Sequence, residues 1–367
     1  MKKLLNFIVE NGYPIFTFFA GWAVAKILDI YFKICREKWQ NWKLERDQEF
    51  LSIDFDPSKI GVSILHSWSY KHRLYPANTI LSRVDTKPHT PYLVGNEAEF
   101  QKIVQNYKNQ NYTGDVCYMV DYKVDHRDNV HGYNFELTVA PSDYSEASAI
   151  SDYLKNHTEI KNEIINTIKD NPIEYFRQAL PSDIFINLIV LSKNNNVLLL
   201  RRSNSVSSAK GKWCIGAFET MNDSLRQQTA GADINFHELA RRGLKEELNL
   251  LEVNDKGQTV YDVNSIFISS ISLSHYHMGT LVTAIVKLKD LTEKEITSNI
   301  LSFAESKFEH DGIKWVKYDK KEIKKFIETD SGLYADCIKN DTGEWIAYAK
   351  FSLYELYRTG DFSLYNY

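Results

Sequence analysis

Cysteine is scarce in this chain. The 367 residues include 4 cysteines, which lie far apart and form no C-x-x-C pair. A disulfide framework or a zinc site requires more closely spaced cysteines, so neither is indicated, and the pattern agrees with a reducing compartment. The four are Cys35, Cys117, Cys214 and Cys337.

An excess of basic residues is lacking as well. The formal net charge is −4 and 25% of the residues are charged, so no surface for a nucleic acid polymer is predicted. The chain also has no internal repeat and no low-complexity linker. Its length is sufficient for two folded units besides a terminal segment.

A long apolar stretch lies near the N-terminus, at about residues 13–34. Since about 20 residues span a bilayer core, the stretch predicts one transmembrane helix. A secretory signal peptide is a poor match, because the stretch is long and aromatic and no small-residue cleavage site follows it. An interfacial amphipathic helix or a buried soluble helix is the alternative.

Flanking charge predicts how this helix is oriented. More basic residues follow the stretch than precede it, so the positive-inside rule places the C-terminal bulk in the cytosol. Within the stretch, Lys26 and Asp29 are three residues apart and share a helix face. Ionisable groups at this depth usually face protein or water. The pair therefore indicates either an oligomer seam or pore lining, or a lysine that reaches the interface.

The most informative motif lies at residues 242–250, Arg-Gly-Leu-Lys-Glu-Glu-Leu-Asn-Leu, after a turn that begins at Gly216. Apolar residues recur at i, i+3 and i+4 intervals, which predicts an amphipathic helix. Asn249 stands where a left-handed residue is expected to end that helix. The stripe consists of Phe236, Leu239, Ala240, Leu244 and Leu248.

This motif resembles the Nudix box, Gly-x5-Glu-x7-Arg-Glu-U-x-Glu-Glu-x-Gly-U, with U a bulky aliphatic residue. Here Gly243 replaces the first glutamate of the helix and Asn249 replaces the closing glycine. The separation of Gly216 and Arg242, 26 positions, is longer than in the family, and the extra residues, around 224–232, predict a surface loop. The resemblance covers about residues 182–320. It implies an α/β/α sandwich with a mixed sheet, within an α+β chain.

The resemblance also implies metal ligands. In the family, three glutamates of the helix hold Mg²⁺ or Mn²⁺, hard ions that take oxygen ligands. Glu246 and Glu247 would act as catalytic metal ligands here if the chain is active. Without the third glutamate we expect weak Mg²⁺ binding, helped by Glu219. Further candidate ligands are Asp223, Glu305 and Glu309.

Short strands surround the box. Residues 185–191 and 197–200 predict a hairpin, followed directly by Arg201 and Arg202, and then by Trp213 before the glycine turn. In many Nudix domains this order places arginines and an aromatic residue in the nucleotide pocket. Guanidinium groups suit phosphate oxygens, so Arg201, Arg202, Trp213 and Glu219 are the expected nucleotide-binding residues. Two arginines exposed at a strand end are the alternative.

The chain is expected to comprise four parts. Residues 1–49 form the membrane anchor and juxtamembrane segment, and 50–181 form a mixed α/β region of unknown role, with strands at 116–120 and 133–139 and a helix at 144–168. Residues 182–320 form the Nudix-like domain, with strands at 265–271, 280–286 and 313–318. Residues 321–367 supply closing helices that pack on the Nudix-like domain. Two helices are predicted there, at 320–328 and 345–357, and the first begins at the boundary between these two parts.

Two functions are consistent with these patterns. An anchor followed by a cytosolic Nudix-like domain is similar to membrane effectors of bacterial cyclic-oligonucleotide antiviral defence (CBASS). Such an effector binds a cyclic nucleotide made by a partner nucleotidyltransferase, forms homo-oligomers and disrupts the inner membrane. The alternative is a membrane-bound, Mg²⁺-dependent Nudix hydrolase that cleaves a nucleoside diphosphate linkage. The loss of a ligand at Gly243 and the polar pair in the anchor favour the effector.

Overall fold

The computed structural model describes most of the chain beyond residue 55. The described residues are 26, 56–68, 75–76, 80–84, 97–124, 135–170, 180–206, 209–222, 233–255, 257–262, 265–275, 278–303, 308–328 and 345–359. The chain divides into two compact units, Met1–Asp54 and Phe55–Tyr367. All of the described residues except Lys26 belong to the second unit.

The predicted membrane helix at 13–34 and Asp29 lie outside the described residues. Of this segment only Lys26 is described, in helical conformation and exposed. Among the residues that the structure describes, no helix is long and apolar enough to cross a membrane.

The second unit contains two sheets. The larger sheet has the strand order β1-β11-β12-β6-β7-β13, with β2 paired to β11, β8 to β7 and β9 to β6. Its strands are β1 (Val62–Ser67), β2 (Tyr75–Pro76), β6 (Ile184–Leu191), β7 (Asn196–Arg202), β8 (Trp213–Ile215), β9 (Ala217–Thr220), β11 (Ile266–Ser274), β12 (Thr280–Lys287) and β13 (His310–Lys317).

The smaller sheet has the order β10-β3-β5-β4. Its strands are β3 (Ile80–Val84), β4 (Asp115–Val124), β5 (Phe135–Asp143) and β10 (Asp233–Asn235), and the helices of the unit are α1 (Glu97–Asn109), α2 (Tyr144–Asn156), α3 (Thr158–Asp170), α4 (Phe236–Leu248), α5 (Glu293–Ser302), α6 (Lys320–Glu328) and α7 (Ala347–Thr359). The predicted strands near 116–120, 133–139, 265–271, 280–286 and 313–318 are all present, as are both closing helices.

The larger sheet is mixed, which confirms that part of the predicted fold. β6 runs parallel to β12, whereas its other partners, β7 and β9, are antiparallel. Every residue of β6 is buried, as expected for a strand that is covered on both faces.

Helices cover the two faces of β6. Leu188 faces helix α4, because its Cδ1 lies within 3.2 Å of the position that a Cβ would take at Gly243. Asn187, the next residue along the strand, donates a hydrogen bond to Ser352 of α7. Successive strand residues point to opposite faces, so α4, the sheet and α7 form three layers.

Helix α4 buries the predicted apolar stripe completely: Phe236, Leu239, Ala240, Leu244 and Leu248 are each 0% exposed. The helix ends as expected, since Asn249 has φ +53°. The Asn249 N–H donates to the Lys245 carbonyl at 3.0 Å. Asn adopts this left-handed conformation more readily than most residues, so the replacement of the family glycine preserves the helix end.

The regions predicted at 50–181 and 182–320 are interleaved. Strands β1 and β2 come from the first region but pair with β11 in the larger sheet. Strand β10 comes from the second region but pairs with β3 in the smaller sheet. The Cys117 N–H also donates to the Met221 carbonyl at 3.0 Å. Residues 223–232, most of the predicted loop, lie outside the described residues.

Two local predictions need correction. The single helix expected at 144–168 is two helices, α2 and α3, because His157 leaves helical geometry (φ −124°, ψ 65°), and its Nε2 lies 3.1 Å from Glu99 Oε2 of α1. The hairpin of β6 and β7 pairs only at its end, Leu191 with Val197, because β9 and β8 pair with the remaining residues.

The left-handed residue at the end of α4 provides a stability test. We expect Asn249→Ala to destabilise the protein by about 1 kcal/mol, because a positive φ is less favourable for alanine than for asparagine. Asn249→Gly should be neutral or slightly stabilising. Thermal unfolding of the full-length protein in detergent would show a Tm about 1–3 °C lower for the alanine variant. Equal Tm values for the two variants would contradict this account.

Candidate functional site

A cavity of about 790 Å³ lies between the larger sheet and the helix pair α1–α2. Half of its lining residues come from 107–155 and half from 183–348. Small-molecule sites commonly have volumes of about 300–1,000 Å³. The cavity therefore has the size of a ligand site, and the region 50–181, for which the sequence indicates no role, supplies one of its walls.

Glu247 of α4 lies at the floor of this cavity. Its Oε2 accepts a hydrogen bond from the Phe218 N–H at 3.0 Å, and His310 Nε2 is 3.7 Å away. Burial raises the pKa of Glu247 to about 8, and burial lowers the pKa of His310 to about 4. At neutral pH the contact is thus between two largely uncharged groups and is not an ion pair.

Glu219 is held by an arginine of the box. Arg242 Nη2 donates to Glu219 Oε1 and to the Thr220 carbonyl, and Nη1 donates to Asn222 Oδ1 at 2.8 Å. Both side chains of the ion pair are nearly buried, at 14% and 13% exposed. Burial raises the pKa of Glu219 to about 7, although Arg242 acts in the opposite direction.

Gly243 packs directly against Glu219. A Cβ at position 243 would lie 2.9 Å from Glu219 Cβ and 3.2 Å from Leu188 Cδ1. Glu219 Cβ is bonded directly to the backbone, so it cannot move away without shifting β9. The space that a family glutamate would enter is therefore occupied by Glu219, which gives Gly243 a packing role that the sequence pattern did not reveal.

The expected metal ligands do not form a cluster. Glu246 is exposed, Glu247 accepts a backbone N–H, and Glu219 is bound to Arg242. Within the described part of the chain, no three His, Cys, Asp or Glu side chains are placed to hold a metal ion. Mg²⁺ requires several converging oxygen ligands, so these residues do not fit such a cluster.

Of the three additional acidic candidates for metal binding, one lies among the described residues. Asp223 and Glu305 lie outside the described residues. Glu309 lines the cavity, and its Oε2 is 3.4 Å from Arg202 Nη1.

The two strand-end arginines point in different directions. Arg202 lines the cavity. Arg201 donates from Nε to Asp311 Oδ1 at 2.6 Å, and its guanidinium lies 5.9 Å from the Trp213 ring centroid. Trp213 is 1% exposed and does not line the cavity. Of the expected nucleotide-binding residues, Arg202 alone therefore lines this cavity. Glu219 is not among the lining residues and is bound to Arg242.

Sequence reasoning did not find the wall formed by α1 and α2. Tyr112, Tyr144, Asp152 and Lys155 line the cavity, but they belong to surface positions of helices or turns with no motif. Only the packing of α1–α2 beside the larger sheet brings them opposite Arg202, and no local pattern encodes that packing.

The contact at Gly243 predicts that Gly243→Ala destabilises the protein. Overpacking typically costs about 1–3 kcal/mol, which exceeds the roughly 1 kcal/mol gained by removing a glycine from a helix. Gly243→Glu should be more destabilising still. Thermal unfolding measures both, with Lys245→Ala, at an exposed position of the same helix, as a control that changes stability by less than about 0.5 kcal/mol. An alanine variant as stable as the native protein would show that β9 can move aside.

Glu247 predicts a pH dependence of stability. Its pKa rises from 4.5 to about 8 on folding, so the folded state binds this proton more tightly, and its stabilising effect is lost as pH rises from about 4.5 through about 8. Glu247→Gln removes this titration. We therefore expect Tm to fall less between pH 6 and pH 9 in the Gln variant than in the native protein. Glu246→Gln, at the exposed neighbour, removes only a minor cause of this raised pKa, so it should change the native pH profile much less than Glu247→Gln does, and identical profiles for all three proteins would refute the assignment.

Comparisons with known proteins find similarity to solved structures alone. No family model matches the chain, and no curated protein matches it. Two solved structures similar to part of it are of Nudix-type proteins. The protein DR0079 of Deinococcus radiodurans is 13% identical over 47% of this chain and 81% of its own, with a TM-score of 0.29. The MutT protein of Methanosarcina mazei is 15% identical over 48% of this chain and 93% of its own, with a TM-score of 0.26. TM-scores of this size do not establish a shared fold.

Proposed function

We propose that this chain is a nucleotide receptor rather than a hydrolase, and that it serves as the membrane effector of a bacterial cyclic-oligonucleotide (CBASS-type) antiviral system. One observation carries the proposal. Glu219, which is paired with Arg242, fills the space beside Gly243 where the Nudix box would place the first glutamate of its helix. A hydrolase of this family depends on that ligand cluster, whereas a receptor needs only the pocket.

The cavity chemistry supports a nucleotide as the ligand. Arg202 offers a guanidinium fork, which suits phosphate oxygens. Tyr112 and Tyr144 offer aromatic faces, which suit the stacking of a base. A nucleotide combines both features, a flat aromatic group and an anionic group.

The charge of the cavity favours a cyclic nucleotide over a nucleoside triphosphate. Three carboxylates, Asp152, Asp183 and Glu309, line it with two basic groups, Arg202 and Lys155, and with Glu247, which is largely uncharged at neutral pH. Acidic surroundings repel phosphate groups, and the described residues form no metal cluster that would offset the repulsion. A cyclic oligonucleotide carries one negative charge for each phosphodiester, fewer than a triphosphate. The repulsion is accordingly smaller.

The membrane part of the proposal is supported by the sequence alone. The apolar stretch at 13–34, with the basic residues that follow it, supports a single anchor with the C-terminal bulk in the cytosol. Lys26 and Asp29 on one face of that helix support association of several anchors. Binding of the ligand would then promote homo-oligomers that disrupt the inner membrane.

Binding and turnover separate this proposal from the hydrolase alternative. We expect the full-length protein in detergent to bind a cyclic di- or trinucleotide, measured by calorimetry, without hydrolysing ADP-ribose or nucleoside triphosphates in Mg²⁺. Arg202→Gln should weaken binding about tenfold or more, because a charge-assisted hydrogen bond is lost. Arg201→Gln is the matched control, since the neighbouring Arg201 contacts Asp311 and not the cavity. Robust Mg²⁺-dependent hydrolysis that Glu247→Gln abolishes would overturn the proposal.

A further inference from the structure

Three tyrosines form an aromatic surface on the α1–α2 side of the cavity. Tyr107 and Tyr112 pack edge to face with centroids 5.7 Å apart. Tyr112 and Tyr144 lie nearly parallel, at 10° between ring planes and 6.4 Å between centroids. Tyr144 remains 36% exposed, a large fraction for an aromatic residue that lines a cavity. This side therefore presents an aromatic surface that is not covered by other parts of the described chain.

The aromatic residues of the opposite wall are already packed. Phe185 is 6% exposed and belongs to a hydrophobic cluster with Phe351 of α7. Phe218 and Tyr348 pack against this cluster, edge to face with each other at 4.9 Å. Phe185, Phe218 and Tyr348 line the cavity and are less exposed than Tyr144, so they offer less surface for stacking.

A carboxylate lies next to the tyrosines. The Tyr107 hydroxyl donates to Asp152 Oδ2 at 2.6 Å, and Lys155 Nζ donates to Asp152 Oδ1 at 2.7 Å. Burial alone would raise the pKa of Asp152, but the hydrogen bonds from Lys155 and Tyr107 hold it below its usual value. Asp152 is thus an ionised acceptor, and each carboxylate oxygen can accept a further N–H. Such an acceptor suits the amino or ring N–H groups of a nucleobase.

The two walls therefore differ in chemistry. The α1–α2 wall combines stacking surface with a hydrogen-bond acceptor, and its lysine is already paired with Asp152. The wall of the larger sheet contributes Arg202, the other basic side chain that lines the cavity. A base suits the first wall. On the second wall, which also carries Asp183, Glu247 and Glu309, Arg202 is the group that suits a phosphate.

We propose that the helix pair α1–α2 recognises the nucleobase of the ligand, by stacking on Tyr112 and Tyr144 and by hydrogen bonding to Asp152, while Arg202 of the larger sheet binds its phosphate. This inference rests on the proposed function in one respect, that the ligand is a nucleotide. It assigns base specificity to the region 97–156, outside the segment that resembles the Nudix domain.

Photoaffinity labelling locates the base directly. The probe is 8-azidoadenosine 3′,5′-cyclic monophosphate, which carries its reactive group on the base and a single phosphodiester charge. After irradiation of the full-length protein and tryptic digestion, we expect the label on peptides that contain Tyr112 or Tyr144. Excess unlabelled cyclic AMP should prevent it. Label confined to peptides of 183–348 overturns this inference and leaves the proposed receptor function in place. No protectable label on any peptide overturns this inference, and it overturns the proposed function as well if calorimetry shows no binding of a cyclic di- or trinucleotide.

Affinity measurements on variants give a second test. Stacking contributes about 1–3 kcal/mol per base, so Tyr144→Ala and Tyr112→Ala should each weaken probe binding roughly fivefold to a hundredfold. Asp152→Asn should weaken binding of adenine nucleotides by a smaller factor. Tyr122→Ala is the matched control, because Tyr122 also stacks on an aromatic ring, Phe135 at 5.5 Å, but does not line the cavity. Tm values identify any variant that fails to fold. If Tyr144→Ala fails to fold, Tyr144→Leu replaces it. Unchanged affinity in well-folded Tyr112 and Tyr144 variants overturns the inference.

Discussion

Helix α4 approaches strand β9 so closely that the position of a Cβ at residue 243 is only 2.9 Å from Glu219 Cβ. This approach brings Arg242 onto Glu219 and, one turn later, Glu247 onto the Phe218 N–H. Both contacts join the same helix to the same strand, and both involve carboxylates that the resemblance to the Nudix box had indicated as metal ligands. The site depends on this close packing, because it determines which acidic groups are engaged within the protein and which remain available to a ligand.

The same packing explains how the two sheets form one unit. In the chain, β9 is followed by β10, and α4 begins immediately after β10. Strand β10 pairs with β3 of the smaller sheet. The hydrogen bond from the Cys117 N–H to the Met221 carbonyl adds a second connection near the end of β9. The smaller sheet and its helices are therefore attached to the strand and helix that carry Glu219 and Glu247. A ligand that touches both walls acts on a single connected structure.

Local patterns predicted the strands around the box, helix α4 and the two closing helices, but not strands β1 and β3, helices α1 and α5, or the site. The apolar stripe of α4 and the positive φ of Asn249 follow from periodicity and from the conformational preference of asparagine, which are properties of nearby residues. The opposite directions of Arg201 and Arg202 follow from strand alternation, yet the motif treated them as equivalent. The clash at position 243 and the wall of tyrosines depend on contacts between distant segments, and a single sequence carries no signal for them.

The ion pair between Arg202 and Glu309, 3.4 Å apart, has a consequence for sensitivity. An anionic ligand competes with Glu309 for the Nη1 side of the guanidinium, so Glu309 acts as a tethered competitor that is always present at the same effective concentration. Such a competitor lowers the apparent affinity for every anion equally. Abundant metabolites that bind weakly are then excluded at concentrations where a specific ligand that binds tightly still occupies the site. For the proposed receptor, the pair would set a threshold that background nucleotides do not cross.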